Sequence, residues 1–271
     1  MSELFQLREK VAIITGGGGA LGGAMALGLA QHGAKVVLTG RKLETLDLMA
    51  DKIKAQGGEV MTLAGNVLHR KDLEGMRAKI IDHWGSIDIL VNAAGGNQKG
   101  ATILPEESFF DMSIDSFDEV ARLNLTGTVL PCQIFGKAMK DRDKGSIINI
   151  SSLTAYTPFT RVVGYSASKS AVTNFTKWLA TEMAMKFGEG IRVNAIAPGV
   201  FIGAQNKSLL LNEDGTHTKR GAAIIARTPM KRFGYPEELI STVVYLSCDA
   251  SHFVTGAIIP VDGGFLAYSG I

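Results

Sequence analysis

The chain has 271 residues, of which 46% are hydrophobic and 20% charged, and its formal net charge is +2. That length can enclose a substantial core, and a nearly neutral, mixed charge gives no signature for nucleic-acid or anionic-membrane binding. Glycine is the unusual component, with 32 residues against only 7 prolines. Because the glycines follow no repeat period, the composition excludes collagen-like and low-complexity chains.

The N-terminal region and the cysteines bear on the compartment. The first ten residues have acids early and lack the basic-then-apolar order of a secretory signal. The 24 uncharged residues between Lys10 and Lys35 are long enough for a membrane span, but the glycine run Gly16 to Gly19 interrupts them. Cys132 and Cys248 have neither metal-ligand nor disulfide spacing, which suits a reducing compartment. We expect a cytoplasmic protein without a membrane span.

Short apolar runs alternate with helical stretches along the whole chain. The predicted strands are Val11–Ile14, Val36–Thr39, Val60–Ala64, Ile87–Val91, Ser146–Ile150, Ile191–Ile196 and Ala257–Val261. The predicted helices are Leu21–Ala34, Leu43–Ala55, Lys71–Trp84, Ser116–Lys140, Tyr165–Phe187 and Pro236–Cys248. Continuous apolar strands indicate a parallel sheet covered by helices on both faces. Since no linker divides the chain, we predict one doubly wound α/β domain over residues 1–271.

The glycine-rich segment Thr15 to Gly22 directly follows the first predicted strand and opens the first predicted helix. In an open parallel sheet, such a turn brings a pyrophosphate to the N-terminus of the next helix. This predicts a Rossmann-type dinucleotide site. The expected contacts are Gly16, Gly18, Gly19 and Leu21. A flexible turn without a ligand is the alternative interpretation.

The end of the second predicted strand bears on the choice of cofactor. Dinucleotide sites that hold a ribose 2′-hydroxyl carry an acidic residue about 20 residues after the glycines, but this chain has Thr39, Gly40, Arg41 and Lys42 there. A carboxylate would repel a 2′-phosphate, whereas Arg41 can pair with one. The sequence therefore favours NADP(H), with NAD(H) as the alternative and a solvated loop arginine as the other interpretation of Arg41.

Four polar residues suggest proton-transfer chemistry. Tyr165 and Lys169 are four residues apart at the start of a predicted helix and so share one face. Ser152 ends the fifth strand region, and Asn124 lies in the preceding predicted helix. A Tyr-x-x-x-Lys pair alone is weak evidence for a catalytic site, but it becomes strong evidence in a chain that opens with a dinucleotide turn.

With these motifs in place, the chain resembles the short-chain dehydrogenase/reductase family over nearly its whole length. The matching elements are Thr15 to Gly22, Asn92 to Gly95, Asn124, Ser152, Tyr165 with Lys169, Pro198–Gly199 and Asp262 to Gly264. The resemblance implies an NAD(P)-dependent oxidoreductase acting on CH–OH groups. Two departures stand out: Ala20 replaces the middle glycine of the turn, and Asn66 replaces an Asp that contacts the adenine.

The same resemblance implies the roles of the site residues. Tyr165 would exchange a proton with the substrate hydroxyl, Ser152 would hydrogen-bond the substrate oxygen, and Asn124 would support a water-linked relay through Lys169. A free tyrosine titrates at about pH 10, too high for a base at neutral pH. We expect the positive charges of Lys169 and the nicotinamide cation to lower that pKa. Tyr165 and Lys169 are also expected to contact the cofactor. Further cofactor contacts are expected at Asn66, Val67, Asn92, Ala94, Gly95, Pro198, Gly199 and Val200.

Two long connections, residues 95–113 and 201–233, are predicted to wall the substrate site, the second as a lid. Their polarity argues against a steroid or long acyl substrate. Any of four cations is a candidate for binding a carboxylate, although a solvated surface charge is the alternative for each. These cations are Lys99, Arg161, Arg220 and Arg227.

Within the family, four segments resemble the D-mannonate oxidoreductase (fructuronate reductase) branch. They are Asn92 to Asn97, Ser108 to Asp111, Gly199 to Asp214 with its Gln205-Asn206-Lys207, and Asp262 to Ser269. Gluconate dehydrogenases, a 3-oxoacyl reductase and a catalytically silent cofactor-sensing protein are the alternatives. The five histidines have no ligand spacing, so we predict no metal. The family resemblance suggests a homotetramer formed through the helices near Asn124 and Tyr165.

Overall fold

A computed structural model describes residues 3–203 and 206–270, so the predicted wall residue Gln205 lies outside the described part. Seven strands form one sheet in the order β3-β2-β1-β4-β5-β6-β7, with every neighbouring pair parallel. The strands are β1 Val11–Thr15, β2 Lys35–Gly40, β3 Val60–Ala64, β4 Ile89–Asn92, β5 Gly145–Ile150, β6 Ile191–Pro198 and β7 Ile258–Val261. The predicted doubly wound parallel sheet is confirmed.

Helices connect the strands close to where the sequence predicted them. They are α1 Ala20–Gln31, α2 Leu43–Ala55, α3 Arg70–Trp84, α4 Ile114–Ala121, α5 Gly127–Lys140, α6 Val163–Phe187, α7 Lys207–Leu210, α8 Lys219–Arg227 and α9 Ile240–Ser247. One prediction needs correction: the single helix expected over residues 116–140 is divided by a π-helical turn, Arg122–Thr126, between α4 and α5. The described residues contain no helix long and apolar enough to cross a membrane.

The core lies on both faces of the sheet because successive strand residues point to opposite sides. Ile14 packs into one apolar cluster with Met25 of α1, while Ile13 packs into another with Ile80 of α3 and Phe135 of α5. All five residues of β1 and all eight of β6 are buried. Burial on both faces explains why these strands are continuous apolar runs rather than alternating ones.

The strand order reverses between β1 and β4, which lie side by side although α1 to α3 separate them in sequence. In open α/β sheets, ligands bind at such a switch point, beyond the carboxyl ends of the strands. Thr15 lies there beside Asn92, and its buried hydroxyl accepts hydrogen bonds of 3.1 Å from the backbone N–H groups of both Ala93 and Ala94. This hydroxyl joins the ends of the two strands.

The segment 201–233 is less irregular than the sequence suggested, since it contains α7 and α8. Leu210, Ile224 and Phe233 form a small buried cluster that packs against Phe159 from the connection between β5 and α6. The segment is therefore docked on the connection that joins Ser152 to Tyr165.

Candidate active site

The glycine turn after β1 is pressed against its neighbours. Gly16 has a φ of 68°, and a Cβ there would lie 2.9 Å from the carbonyl oxygen of Ala93 and from the backbone nitrogen of Ala94. A Cβ at Gly22 would collide with the carbonyl oxygen of Gly16. The turn thus needs glycine at both positions, one for its conformation and one for close packing.

The N-terminus of α1 opens directly from this turn. Gly19 at the N-cap provides no side-chain hydrogen bond, and the first turn contains no acidic residue. The first backbone N–H groups of a helix are unpaired within it and carry the positive end of the helix dipole. The arrangement fits the pyrophosphate of a dinucleotide. Ala20, the departure from the family pattern, is accommodated, because even a Cβ at the facing Gly203 would stay 3.9 Å from its side chain.

The residues predicted for the adenosine end lie beyond β2 and β3. Arg41 follows the last residue of β2 and is exposed. The side-chain oxygen of Asn66 accepts a hydrogen bond of 3.0 Å from the backbone N–H of Leu68. The backbone N–H of Asn66 donates to the Asp72 carboxylate at 2.8 Å. Val67 is buried against Gly127, at which a Cβ would lie 3.1 Å from the Val67 side chain. Asn66 is held in place, although a local bond already occupies one acceptor position.

The loop after β4 is tied to the π-helical turn by Asn124. The Asn124 amide donates to the carbonyl oxygens of Gly96 and Val120 at 2.7 and 2.8 Å, and its oxygen accepts from the N–H of Gly96 at 3.1 Å. A Cβ at Gly95 would lie 2.6 Å from the Asn124 side-chain oxygen and 3.4 Å from Lys169 Nζ. The structure therefore brings Asn124, Gly95 and Lys169 together.

Lys169 lies in a buried position on α6 and is only 4% exposed. Its ammonium donates to the carbonyl oxygen of Ile150 at 2.7 Å and lies 5.5 Å from the centre of the Tyr165 ring. Within the described residues no carboxylate forms an ion pair with it. Burial consequently lowers the pKa of Lys169 to about 8.

Tyr165 and Ser152 meet across the end of β5. Burial raises the pKa of Tyr165, and a hydrogen bond with the Ser152 side chain opposes that rise. The structure differs here from the expectation that Lys169 lowers the pKa of Tyr165, because burial is the dominant effect on the phenol. The Ser152 oxygen also caps a short 3₁₀ turn by accepting from the N–H of Thr154 at 3.1 Å.

The ends of β6 and β7 form the far side of the cleft. Gly199 follows Pro198, the last residue of β6, and donates its N–H to the carbonyl oxygen of Val261 at 2.8 Å. A Cβ at Gly199 would lie 2.6 Å from the Cα of Asp262. The carbonyl oxygen of Val200 accepts from Gly234 at 3.0 Å, which anchors the far end of segment 201–233.

A cavity of about 560 Å³ lies beyond these strand ends, but Val200 is the only predicted site residue in its lining. Arg232 and Glu238 pair with each other at its wall. Neither Tyr165 nor Lys169 borders it. The cavity is therefore not where the candidate proton-transfer groups meet.

A buried polar network lies beneath the cleft, and of its members only Asn92 was predicted from the sequence as a site residue. The Asn92 amide donates to Asn149 at 2.9 Å and to Cys132 at 3.2 Å, and Asn149 donates to Thr176 at 2.9 Å. Asn149, an amide in an otherwise apolar strand, was the available signal. Thr15 was seen only as part of the glycine motif. No group of three or more potential metal ligands occurs in residues 3–203 and 206–270.

The chain is similar in sequence to known reductases and oxidoreductases over nearly its whole length. A family model described as enoyl-(acyl carrier protein) reductase matches residues 18–266. The chain is 46% identical over 274 residues to the uncharacterized oxidoreductase UxuB of Bacillus subtilis (strain 168), and the alignment covers 98% of each chain. It is 33% identical over 266 residues to the 5-keto-D-gluconate 5-reductase of Escherichia coli (strain K12), which covers 98% of this chain and 99% of that relative.

A solved structure supports the same relationship. The crystal structure of a candidate D-mannonate oxidoreductase from Haemophilus influenza, with bound NAD, superimposes with a TM-score of 0.91 and 40% sequence identity. The match covers 98% of both chains. The similarity thus extends through the sheet, the cleft and segment 201–233.

Proposed function

Since the chain belongs to the short-chain dehydrogenase/reductase family and is an NAD(P)-dependent oxidoreductase, we propose that it interconverts the sugar acids D-fructuronate and D-mannonate. The observation that carries this proposal is the full-length similarity to the candidate D-mannonate oxidoreductase, at 40% identity. The similarity to a 5-keto-D-gluconate 5-reductase supports the broader class of sugar acids.

The cofactor is assigned to the edge of the sheet described above. Gly16, Gly18, Gly19 and Leu21 would hold the pyrophosphate at the start of α1, and Asn66 with Val67 would border the adenine. Residues at the ends of β4 and β6 would line the nicotinamide: Asn92, Ala94, Gly95, Pro198, Gly199 and Val200. We further propose a preference for NADP(H), supported by exposed Arg41 directly after β2.

A nicotinamide bound there would supply or accept the hydride, which leaves the transfer of the proton to the protein. Tyr165 exchanges that proton with the substrate oxygen, which Ser152 holds by a hydrogen bond. The raised pKa of Tyr165 keeps the phenol protonated at neutral pH, and this suits donation to a forming alkoxide.

Lys169 and Asn124 support this transfer. With a pKa of about 8, Lys169 can release and regain a proton near physiological pH. Asn124 holds the loop at Gly96 and the π-helical turn beside Lys169, so we assign it the support of a proton relay through Lys169. We also assign Tyr165 and Lys169 to contacts with the nicotinamide side of the cofactor.

A substrate panel tests the proposal directly. D-fructuronate, 5-keto-D-gluconate and a 3-oxoacyl thioester are each mixed with the enzyme and NADPH or NADH, and the nicotinamide absorbance is followed. We expect D-fructuronate to give the highest kcat/KM. Preference for 5-keto-D-gluconate would move the assignment to the gluconate enzymes, and turnover of the thioester alone would refute the sugar-acid class.

The proposal extends to a homotetramer in the cytoplasm. Trp178 and Met185 lie seven residues apart on α6, which places them on one face of the helix, and their side chains are 57% and 81% exposed. We assign this face of α6 to a subunit interface. Cys132 and Cys248 are both free and buried, as suits a reducing compartment. Light scattering measures the mass, and a monomer would refute the assembly.

A further inference from the structure

Two arginines, Arg161 and Arg220, are brought together in the fold, although 59 positions of sequence separate them. Arg161 lies in the last turn of the connection from Ser152 to Tyr165, and Arg220 lies in the first turn of α8. The guanidinium of Arg220 donates to the hydroxyl and the carbonyl oxygen of Thr160, both at 3.2 Å. Arg220 is thus fixed against the residue that precedes Arg161.

The electrostatics of this pair are unfavourable without a further group. Burial lowers the pKa of Arg220, and the nearby charge of Arg161 lowers it further. The first turn of α8 contains no acidic residue, so the positive end of the helix dipole adds to the repulsion. Within residues 3–203 and 206–270, neither arginine forms an ion pair with a carboxylate.

The backbone holds Arg161 in a conformation that is rare for its residue type. Its φ is 78°, in the left-handed region that residues other than glycine rarely adopt. Its carbonyl oxygen accepts a hydrogen bond of 3.0 Å from the N–H of Ile103. Arg161 therefore lies where both predicted walls, residues 95–113 and 201–233, meet the connection that leads to Tyr165.

The other two candidate cations have different surroundings. The Arg227 guanidinium lies 5.3 Å from the centre of the Phe265 ring, so a cation–π contact already engages it. Lys99 is exposed in a short 3₁₀ turn. Of the four, only Arg161 and Arg220 form a pair.

We propose that Arg161 and Arg220 bind the carboxylate of the sugar-acid substrate, an inference that rests on the proposed function. A guanidinium presents five N–H donors in a planar fork that matches a carboxylate. Arg220 uses two of these donors to bind Thr160, which leaves the others for a ligand. In D-fructuronate the carboxylate and the keto group lie near opposite ends of the carbon chain. Anchoring one end at the arginines while the other meets Ser152 and Tyr165 orients the substrate and selects for an acid.

The test compares D-fructuronate with D-fructose, which has a CH₂OH group in place of the carboxylate. For Arg161→Gln and Arg220→Gln, we expect KM for D-fructuronate to rise by about 10-fold or more, with kcat changed by less than about threefold. The kcat/KM for D-fructose should not change. Arg220→Lys keeps the charge but not the fork, so it should lie between Arg220→Gln and the wild type.

Lys219→Gln is the matched control, since it removes a neighbouring exposed cation from the same helix turn. NAD(P)H affinity and melting temperature show that each variant remains folded. Unchanged KM for D-fructuronate in both arginine variants, or an equal effect of Lys219→Gln, would overturn the proposed subsite and leave the proposed function intact.

The two proposals can also fail separately in the other direction. If D-fructuronate is not a substrate, the proposed function fails. The carboxylate subsite is then tested in a second assay, in which a neutral diketone is the substrate and D-gluconate is added as a competing anion. Competitive inhibition by D-gluconate that both arginine variants lose would then retain the carboxylate subsite. Inhibition that is absent in the wild type, or equal in all variants, would refute it.

Discussion

The proposed cofactor side of the cleft is shaped by backbone, whereas the proposed substrate side is shaped by side chains carried on long connections. At the glycine turn, Gly16 and Gly22 allow a strand, a loop and a helix to approach within contact distance. Segment 201–233 places its first residue, Phe201, in the cluster of more than twenty buried residues that includes α1. The rest of the segment packs through a separate cluster of three buried residues, Leu210, Ile224 and Phe233. The difference teaches that the proposed cofactor site is built into the core, and that the proposed substrate walls are added at its border.

The largest effect is expected from the side-chain side, on removal of one phenolic oxygen. Tyr165→Phe should lower kcat by about 10²–10⁴-fold, since the proton donor is lost. Affinity for NAD(P)H, measured by fluorescence titration, should change far less than kcat, because the glycine turn is untouched and the substitution removes a single proposed contact to the nicotinamide side. Activity close to that of the wild type would refute the role of Tyr165, and a silent cofactor sensor would show no turnover even before the substitution.

Burial of Lys169 predicts a pH-dependent stability. Its pKa falls from 10.5 to about 8 on folding, so between these values the unfolded chain binds a proton that the folded chain has released. Stability should therefore rise with pH across this window, and below about pH 8 the cost of burying the charge is fully present.

Denaturant unfolding of wild type and Lys169→Met measures this effect. Between pH 8 and 10.5, the unfolding free energy of the wild type should rise relative to that of Lys169→Met by up to about 3 kcal/mol. Lys177→Met, an exposed lysine on the same helix, controls for the loss of a positive charge. A pH-independent difference would mean that Lys169 does not release its proton on folding.

The backbone side is tested by a pair of glycine substitutions. Gly16 and Gly57 both have left-handed φ angles, 68° and 79°, but only at Gly16 would a Cβ meet neighbouring backbone atoms. Gly16→Ala should lower stability by about 2 kcal/mol or more and weaken cofactor binding. Gly57→Ala should cost about 1 kcal/mol and leave binding unchanged. Equal effects would show that conformation, and not close approach, is what Gly16 supplies.

The smallest effect is expected where a single side chain modifies the backbone-built site. Arg41→Ala should raise KM for NADPH by about 10-fold and leave KM for NADH within about twofold. Steady-state kinetics with both cofactors measure the ratio. Equal changes in the two values would refute the proposed NADP(H) preference and leave the rest of the cofactor site in place.

The fold could be predicted closely from local sequence, because its elements are strongly patterned. The helix α2 has the predicted bounds, and β3 coincides with its apolar run. The π-helical turn at Arg122–Thr126 was not predicted, since no local periodicity distinguishes five such residues from the helices on either side. It is formed where the Asn124 side chain binds the backbone of Gly96, a contact 28 residues distant.

The candidate site divides in the same way. The sequence by itself determined the glycine turn, the pairing of Tyr165 with Lys169 and the position of Ser152, because each depends on spacing within one turn or one helix. Only the tertiary structure decided that burial dominates the pKa of both Tyr165 and Lys169. It also decided which of four cations adjoin each other, since Arg161 and Arg220 meet through the docking of α8. Desolvation and long-range charge contacts depend on what surrounds a residue in space, and a sequence does not specify that locally.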